Sequence, residues 1–121
     1  MAKLLMVLAQ GPGAPHGDLD DRLELDVALT AQGQIDVAAF EQAATPWLAR
    51  RGRRGGVEHH SELVRLDESW ALQGLAQGPS LAEDPLWTVE SRVFRPGELV
   101  RLRRADGREL LFRVVQVTPD A

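Results

Sequence analysis

Alternation of apolar and polar residues in the last quarter of the chain constrains its fold more than any other feature. Two alternating runs, residues 98–104 and 108–117, flank the turn-forming tripeptide Ala105–Gly107. Successive side chains of a strand point to opposite faces, so a period of two is typical of a half-buried strand. The two runs and the turn between them therefore predict a β-hairpin.

Two registers compete in this hairpin. A two-residue loop at Asp106–Gly107 mixes apolar and charged side chains on both faces. A three-residue loop pairs Arg103 with Glu109 and places the apolar and the charged side chains on opposite faces. A slip of one residue moves a whole apolar set into water, at about 1.5–3 kcal/mol for each large side chain. We therefore predict the three-residue loop, with Gly107 left-handed in a bulge. The apolar face then carries Val100, Leu102, Leu110, Phe112 and Val114.

Similar patterns predict strands earlier in the chain. Residues 22–30 alternate Leu23, Leu25, Val27 and Leu29 with mostly charged residues, and an apolar run at residues 4–9 indicates a first strand. Between residues 62 and 75, two short antiparallel strands are expected to meet at a turn formed by Asp67–Ser69. On those two strands one parity is shared by Val64, Leu66, Trp70 and Leu72.

A main helix is predicted at about residues 36–51. Asp36 is a favourable N-cap, and Val37, Phe40 and Ala44 follow at helical spacing. Thr45–Pro46 interrupts this pattern, so the helix either kinks there or a second short helix begins. The fold class expected from these elements is α+β: a single domain (residues 1–121) with an antiparallel, meandering or partly barrel-like sheet and one helix packed on it.

The composition narrows the available chemistry. The chain lacks cysteine, tyrosine and asparagine, which excludes disulfides, zinc-thiolate sites, cysteine nucleophiles and tyrosine acids. The absence of cysteine fits a reducing compartment, and we expect a cytoplasmic protein. The N-terminal apolar run of six residues is shorter than the core of a signal peptide, and no apolar run is long enough for a membrane helix.

The short motifs do not indicate a catalytic, cofactor or metal site. Residues 11–17 are rich in glycine, but their spacing matches no phosphate-binding loop. Adjacent His59 and His60 would point to opposite faces of a strand, which disfavours joint binding of a metal. The acidic run at residues 18–26 lacks the spacing of a calcium loop. The sequence does not decide whether His16 meets the other two histidines in space.

Charge is segregated along the chain, although the net charge is only −4. Four arginines lie within residues 50–54, and residues 92–121 hold seven basic and four acidic residues. Arginines on one face of a sheet can bind a phosphate backbone, and tryptophan frequently anchors protein interfaces. The candidate partner-binding residues are Arg50, Arg51, Arg53, Arg54, Trp87, Arg101, Arg103 and Arg113.

Three functions are compatible with these observations. The first is a non-catalytic accessory or regulatory protein that binds another protein or itself, for example as a homodimer joined through edge strands. The alternative is nucleic-acid binding through the arginine-rich hairpin face and loop, against which the acidic pI of about 5.3 argues. The third is a small enzyme or ligand carrier, since sites assemble in space rather than in sequence.

Overall fold

A computed structural model describes residues 1–52, 58–74, 86–91 and 93–119. These residues form a closed antiparallel barrel in which each strand pairs with the next along the chain and the last pairs with the first. The strands are β1 (Ala2–Gln10), β2 (Asp18–Val27), β3 (Leu48–Gly52), β4 (His59–Leu66), β5 (Ser69–Gly74), β6 (Trp87–Glu90), β7 (Leu99–Arg103) and β8 (Glu109–Pro119). Within the described ranges the helix is α1 (Val37–Glu41).

The barrel interior is filled by alternate residues of the strands. Phe112 is the largest of the fully buried side chains. Because every second residue of a strand points inward, the alternation in the sequence is the direct cause of this core. The contiguous cluster includes Leu4, Met6, Leu8, Leu23, Leu25, Val27, Ala49, Leu63, Leu72, Val89, Val100, Leu102, Leu110, Phe112 and Val114.

The predicted register of the C-terminal hairpin is confirmed. Arg103 pairs with Glu109, and Val100 pairs with Phe112. The backbone N–H of Arg104 donates to the carbonyl of Arg108 at 2.9 Å, which closes the three-residue loop. Gly107 has φ +93°, as the left-handed position of this loop requires.

The main helix predicted at residues 36–51 is wrong, and with it the α+β class. Asp36 does cap α1, because its carboxylate accepts from the backbone N–H of Ala39 at 3.1 Å, but α1 ends at Glu41. Thr45–Pro46 then stops any continuation, since proline lacks the N–H and clashes with the preceding turn. Residues 48–52 form β3, where Ala49 lies between Leu25 of β2 and Ser61 of β4.

One end of the barrel, here named the closed end, is covered by α1 and the β4–β5 turn. The Phe40 ring meets the Trp47 and Trp70 rings edge to face, with centroids 5.2 Å and 4.9 Å apart. Such aromatic pairs add about 0.5–1.5 kcal/mol beyond the burial of their area. The short helix therefore acts as a plug for the barrel, and two of the three tryptophans serve packing.

The predicted strands on either side of residue 67 are present, but their shared parity does not give a shared face. The turn holds only two residues, so Leu66 pairs with Ser69 and Leu63 pairs with Leu72. Val64 and Leu66 consequently lie on the outer face, opposite to Leu72. Asp67 adopts φ 53°, which an aspartate tolerates at a tight turn.

Closure of the barrel has a consequence for self-association. Each of the eight strands is hydrogen-bonded on both sides within the described residues. Among the described strands, none is left with an unpaired side of the kind that the expected edge-strand homodimer would use, and self-association stays a prediction. No helix in the described part of the chain has the length and apolar character needed to cross a membrane.

Candidate functional site

A cavity of about 560 Å³ occupies the end of the barrel opposite to α1, here named the open end. The hairpin loop after β7 and the loop between β1 and β2 lie at this end. The floor of the cavity is the last apolar layer of the core, and its wall is polar. The floor is formed by Leu8, Leu23, Leu72, Leu102 and Leu110.

A buried ion pair stands on one side of this cavity. Arg51 of β3 donates from Nε and Nη2 to the two carboxylate oxygens of Asp21 in β2, at 3.0 Å and 2.8 Å. Asp21 is 2% exposed, and 16% of the Arg51 side chain is reached by solvent. The guanidinium also lies over the Phe112 ring, 5.6 Å from its centroid. A two-point contact of this kind fixes both the position and the plane of the guanidinium.

Trp87 and Arg104 form a second part of the wall. Trp87 begins β6, and the Arg104 guanidinium lies 4.5 Å from the centroid of its ring. Both residues line the cavity. An arginine held against an aromatic face is attracted by the ring quadrupole, so this pair is a second ordered cation in the wall.

The rim of the cavity carries further polar groups. His59 and Ser61 of β4 have the inward parity of Leu63, and Arg108 enters from the hairpin loop. Arg108 donates from Nε to Asp106 at 2.8 Å. Asp18 and Glu109 also reach the rim, and Glu109 accepts from Arg103 at 2.9 Å. The rim therefore carries charges of both signs.

The histidines do not assemble into a metal site. His60 lies 3.1 Å from a carboxylate oxygen of Glu58, and both His59 and His60 border the cavity, whereas His16 is not among the lining residues. In the residues that the structure describes, no group of three or more histidine, aspartate or glutamate side chains is arranged to hold a metal ion.

The candidate arginines are dispersed over the barrel. Arg50 lies on the outer face, donates to Glu24 at 2.9 Å, and this hydrogen bond raises the pKa of Arg50. Arg101 and Arg103 lie on the outer face of β7 close to Glu109, and Arg113 is exposed on β8. β1 and β2 separate these strands from β3, so the predicted basic residues do not form one patch. Arg53 and Arg54 lie outside the described residues.

Sequence reasoning identified only part of this site. Arg51 and Trp87 were among the candidate partner-binding residues, and both line the cavity. Asp21 and Arg104 were missed. A signal for Asp21 was present, because it shares the parity of Leu23 and Leu25 and is thus a charge on the apolar face of β2. A buried charge needs an opposite charge nearby. Arg51 has the same parity on β3 as the buried Ala49, so it also points inward and can pair with Asp21.

Comparison with known proteins adds no further information about the site. No family model matches the chain, and neither a curated protein nor a solved structure matches it.

Proposed function

We propose that this protein binds a small, partly apolar molecule in the open end of its barrel. The observation that supports the proposal is the combination, in one cavity, of an apolar floor with a wall of ordered polar groups. The floor would hold the apolar part of the molecule. Arg51 and Ser61 border the cavity and offer hydrogen bonds to its polar part.

The size of the cavity agrees with this role. Ligand pockets commonly measure about 300–1,000 Å³ and are apolar with a few placed polar groups. Eight-stranded barrels have interiors that side chains fill or that hold one small ligand. In this barrel Phe112 and its neighbours fill the middle, and the space of about 560 Å³ remains at the end.

Two other functions stay predictions. Binding to a protein partner or to a nucleic acid was expected from the arginines, but Arg50 and Arg103 are each paired with a glutamate on the barrel surface. Exposed ion pairs of this kind leave little net positive charge for a phosphate backbone. A cytoplasmic location likewise stays a prediction.

The proposal is tested with Nile red, a neutral dye whose fluorescence rises in apolar surroundings. Titration into the wild-type protein is expected to give saturable fluorescence at one dye per chain. Ser61→Phe places a large ring into the cavity wall and is expected to abolish that signal. Ser69→Phe makes the same change on the exposed surface at the closed end and is the matched control.

The outcomes separate cavity binding from adsorption to the surface. Loss of saturable binding in Ser61→Phe with retention in Ser69→Phe supports the cavity. Equal binding by the two variants, or no saturable binding by the wild type, contradicts the proposal. Far-UV circular dichroism of each variant shows that the barrel has formed.

A further inference from the structure

The hydrogen-bond groups of Arg51 point to the chemistry of the ligand. A guanidinium carries five N–H groups in a planar fork and has no acceptor. Two N–H groups of Arg51 donate to Asp21. The others have no hydrogen-bond partner in residues 1–52, 58–74, 86–91 and 93–119, although Arg51 is only 16% exposed. Enclosed donors of this kind are satisfied by water or by a ligand.

Arg51 stands in the wall of the cavity. Asp21 occupies the Nε–Nη2 edge of its guanidinium, and the Phe112 ring centroid lies 5.6 Å from the guanidinium carbon. Arg51 is one of the residues that line the cavity, so its other edge is the one available to a ligand there. The two buried neighbours hold the group in place before any ligand arrives, which reduces the entropy lost on binding.

We infer that Arg51 binds the carboxylate of an amphipathic acid whose apolar part lies on the leucine floor; this inference rests on the proposed function. The free edge of a guanidinium presents parallel N–H groups that match the two oxygens of a carboxylate. A neutral amide offers one acceptor oxygen and brings its own donors against the fork. The fork therefore selects the acid over the amide of the same shape.

The charged groups around the cavity include both signs. Arg104 and Arg108 border the cavity and attract a negative charge across it, although Arg108 is also paired with Asp106 at 2.8 Å. Asp18 and Glu109 lie at the rim and oppose that attraction, but the Glu109 carboxylate is held by Arg103 on the outer face. Asp21 neutralises Arg51 in part, which keeps the site from binding every small anion in solution.

Displacement of Nile red by medium-length fatty acids and by their primary amides tests this inference. In the wild type, the amide is expected to bind at least about tenfold more weakly than the acid, as for loss of a charge-assisted hydrogen bond. Asp21→Leu/Arg51→Met replaces the buried pair by apolar side chains and is expected to bind acid and amide within about twofold of each other. Glu24→Leu/Arg50→Met removes the neighbouring outer pair and should retain the wild-type ratio.

Each result has a separate meaning. Failure of the wild type to bind Nile red or any acid rejects the proposed function. Equal affinity of the wild type for acid and amide leaves the proposed function in place and overturns the role of Arg51. Retention of the acid preference in Asp21→Leu/Arg51→Met also overturns it. If that variant does not fold, Arg51→Lys serves instead: it keeps the charge, lacks the fork, and should reduce the preference several-fold.

Discussion

Two adjacent arginines of β3 offer a stringent test of how the barrel is stabilised. Arg50 and Arg51 each pair with a carboxylate of β2, one outside the barrel and one inside. We consider Arg50→Met and Arg51→Met, in which the same chemical change is made one residue apart. Methionine retains most of the apolar stem, so the comparison isolates the loss of the guanidinium.

The expected magnitudes differ because burial differs. The Arg50 and Glu24 side chains are 36% and 37% exposed, and such pairs contribute about 0.2–1 kcal/mol. Asp21 has a side chain only 3% exposed and receives two hydrogen bonds from Arg51. Removing one member of a buried pair costs about 3–5 kcal/mol, because the other charge stays buried after losing the hydrogen bonds of that pair. For a chain of this size we expect a melting temperature lower by about 12–20 °C in Arg51→Met.

Urea unfolding followed by circular dichroism measures both effects. The midpoint should fall strongly for Arg51→Met and little for Arg50→Met, with similar slopes. Asp21→Leu/Arg51→Met should recover most of the loss, since the buried carboxylate is removed together with the guanidinium. Equal destabilisation by the two methionine variants would refute the reasoning, as would a double variant less stable than Arg51→Met.

Two further predictions concern the turns. Gly17 and Gly107 both have positive φ. Alanine at Gly107, where the space is open, should lower the free energy of unfolding by about 1–2 kcal/mol. Alanine at Gly17 should lower it clearly more, because its Cβ would lie 2.4 Å from the Leu8 carbonyl oxygen. Urea midpoints in the reverse order would show that the turn strain is misassigned. Hydrogen bonds from the backbone N–H and side chain of Arg108 lower the pKa of Asp106 below its ordinary value. The stability that this carboxylate contributes is complete above the unfolded-state pKa and is lost as pH falls through the folded-state pKa. When the free energy of unfolding is measured against pH, Asp106→Asn should therefore reduce the loss of stability at acid pH. An unchanged loss would assign it to other carboxylates.

The hairpin shows where sequence reasoning succeeds. One register buries Val100, Leu102 and Phe112 together and the other does not, so the hydrophobic effect selects between them without any knowledge of the remaining fold. The chain between Asp36 and Arg51 shows where it fails. Its apolar spacing is compatible with a helix, but β2 and β4 offer hydrogen bonds to residues 48–52, and pairing on both sides outweighs a weak local preference.

The site was hidden from the sequence for a related reason. Asp21 and Arg51 are 30 residues apart along the chain, and Trp87 on β6 and Arg104, directly after β7, lie still further along the chain. Alternation assigns each residue to a face, but it does not say which strands are neighbours. A charged residue at an inward position conflicts with the expected alternation until the neighbouring strand that carries its partner is known.

The sequence by itself determined the strands of the hairpin, their inward apolar residues, and the absence of thiol and phenol chemistry, because these depend on local period and composition. Only the tertiary structure decided that the sheet closes, that the expected helix is a five-residue plug, and that Arg51 faces inward to a buried aspartate. Closure is a property of all eight strands together. The cavity is lined by inward residues of several strands, with leucines at its floor and charged groups at its rim, so it depends on how those strands are placed side by side.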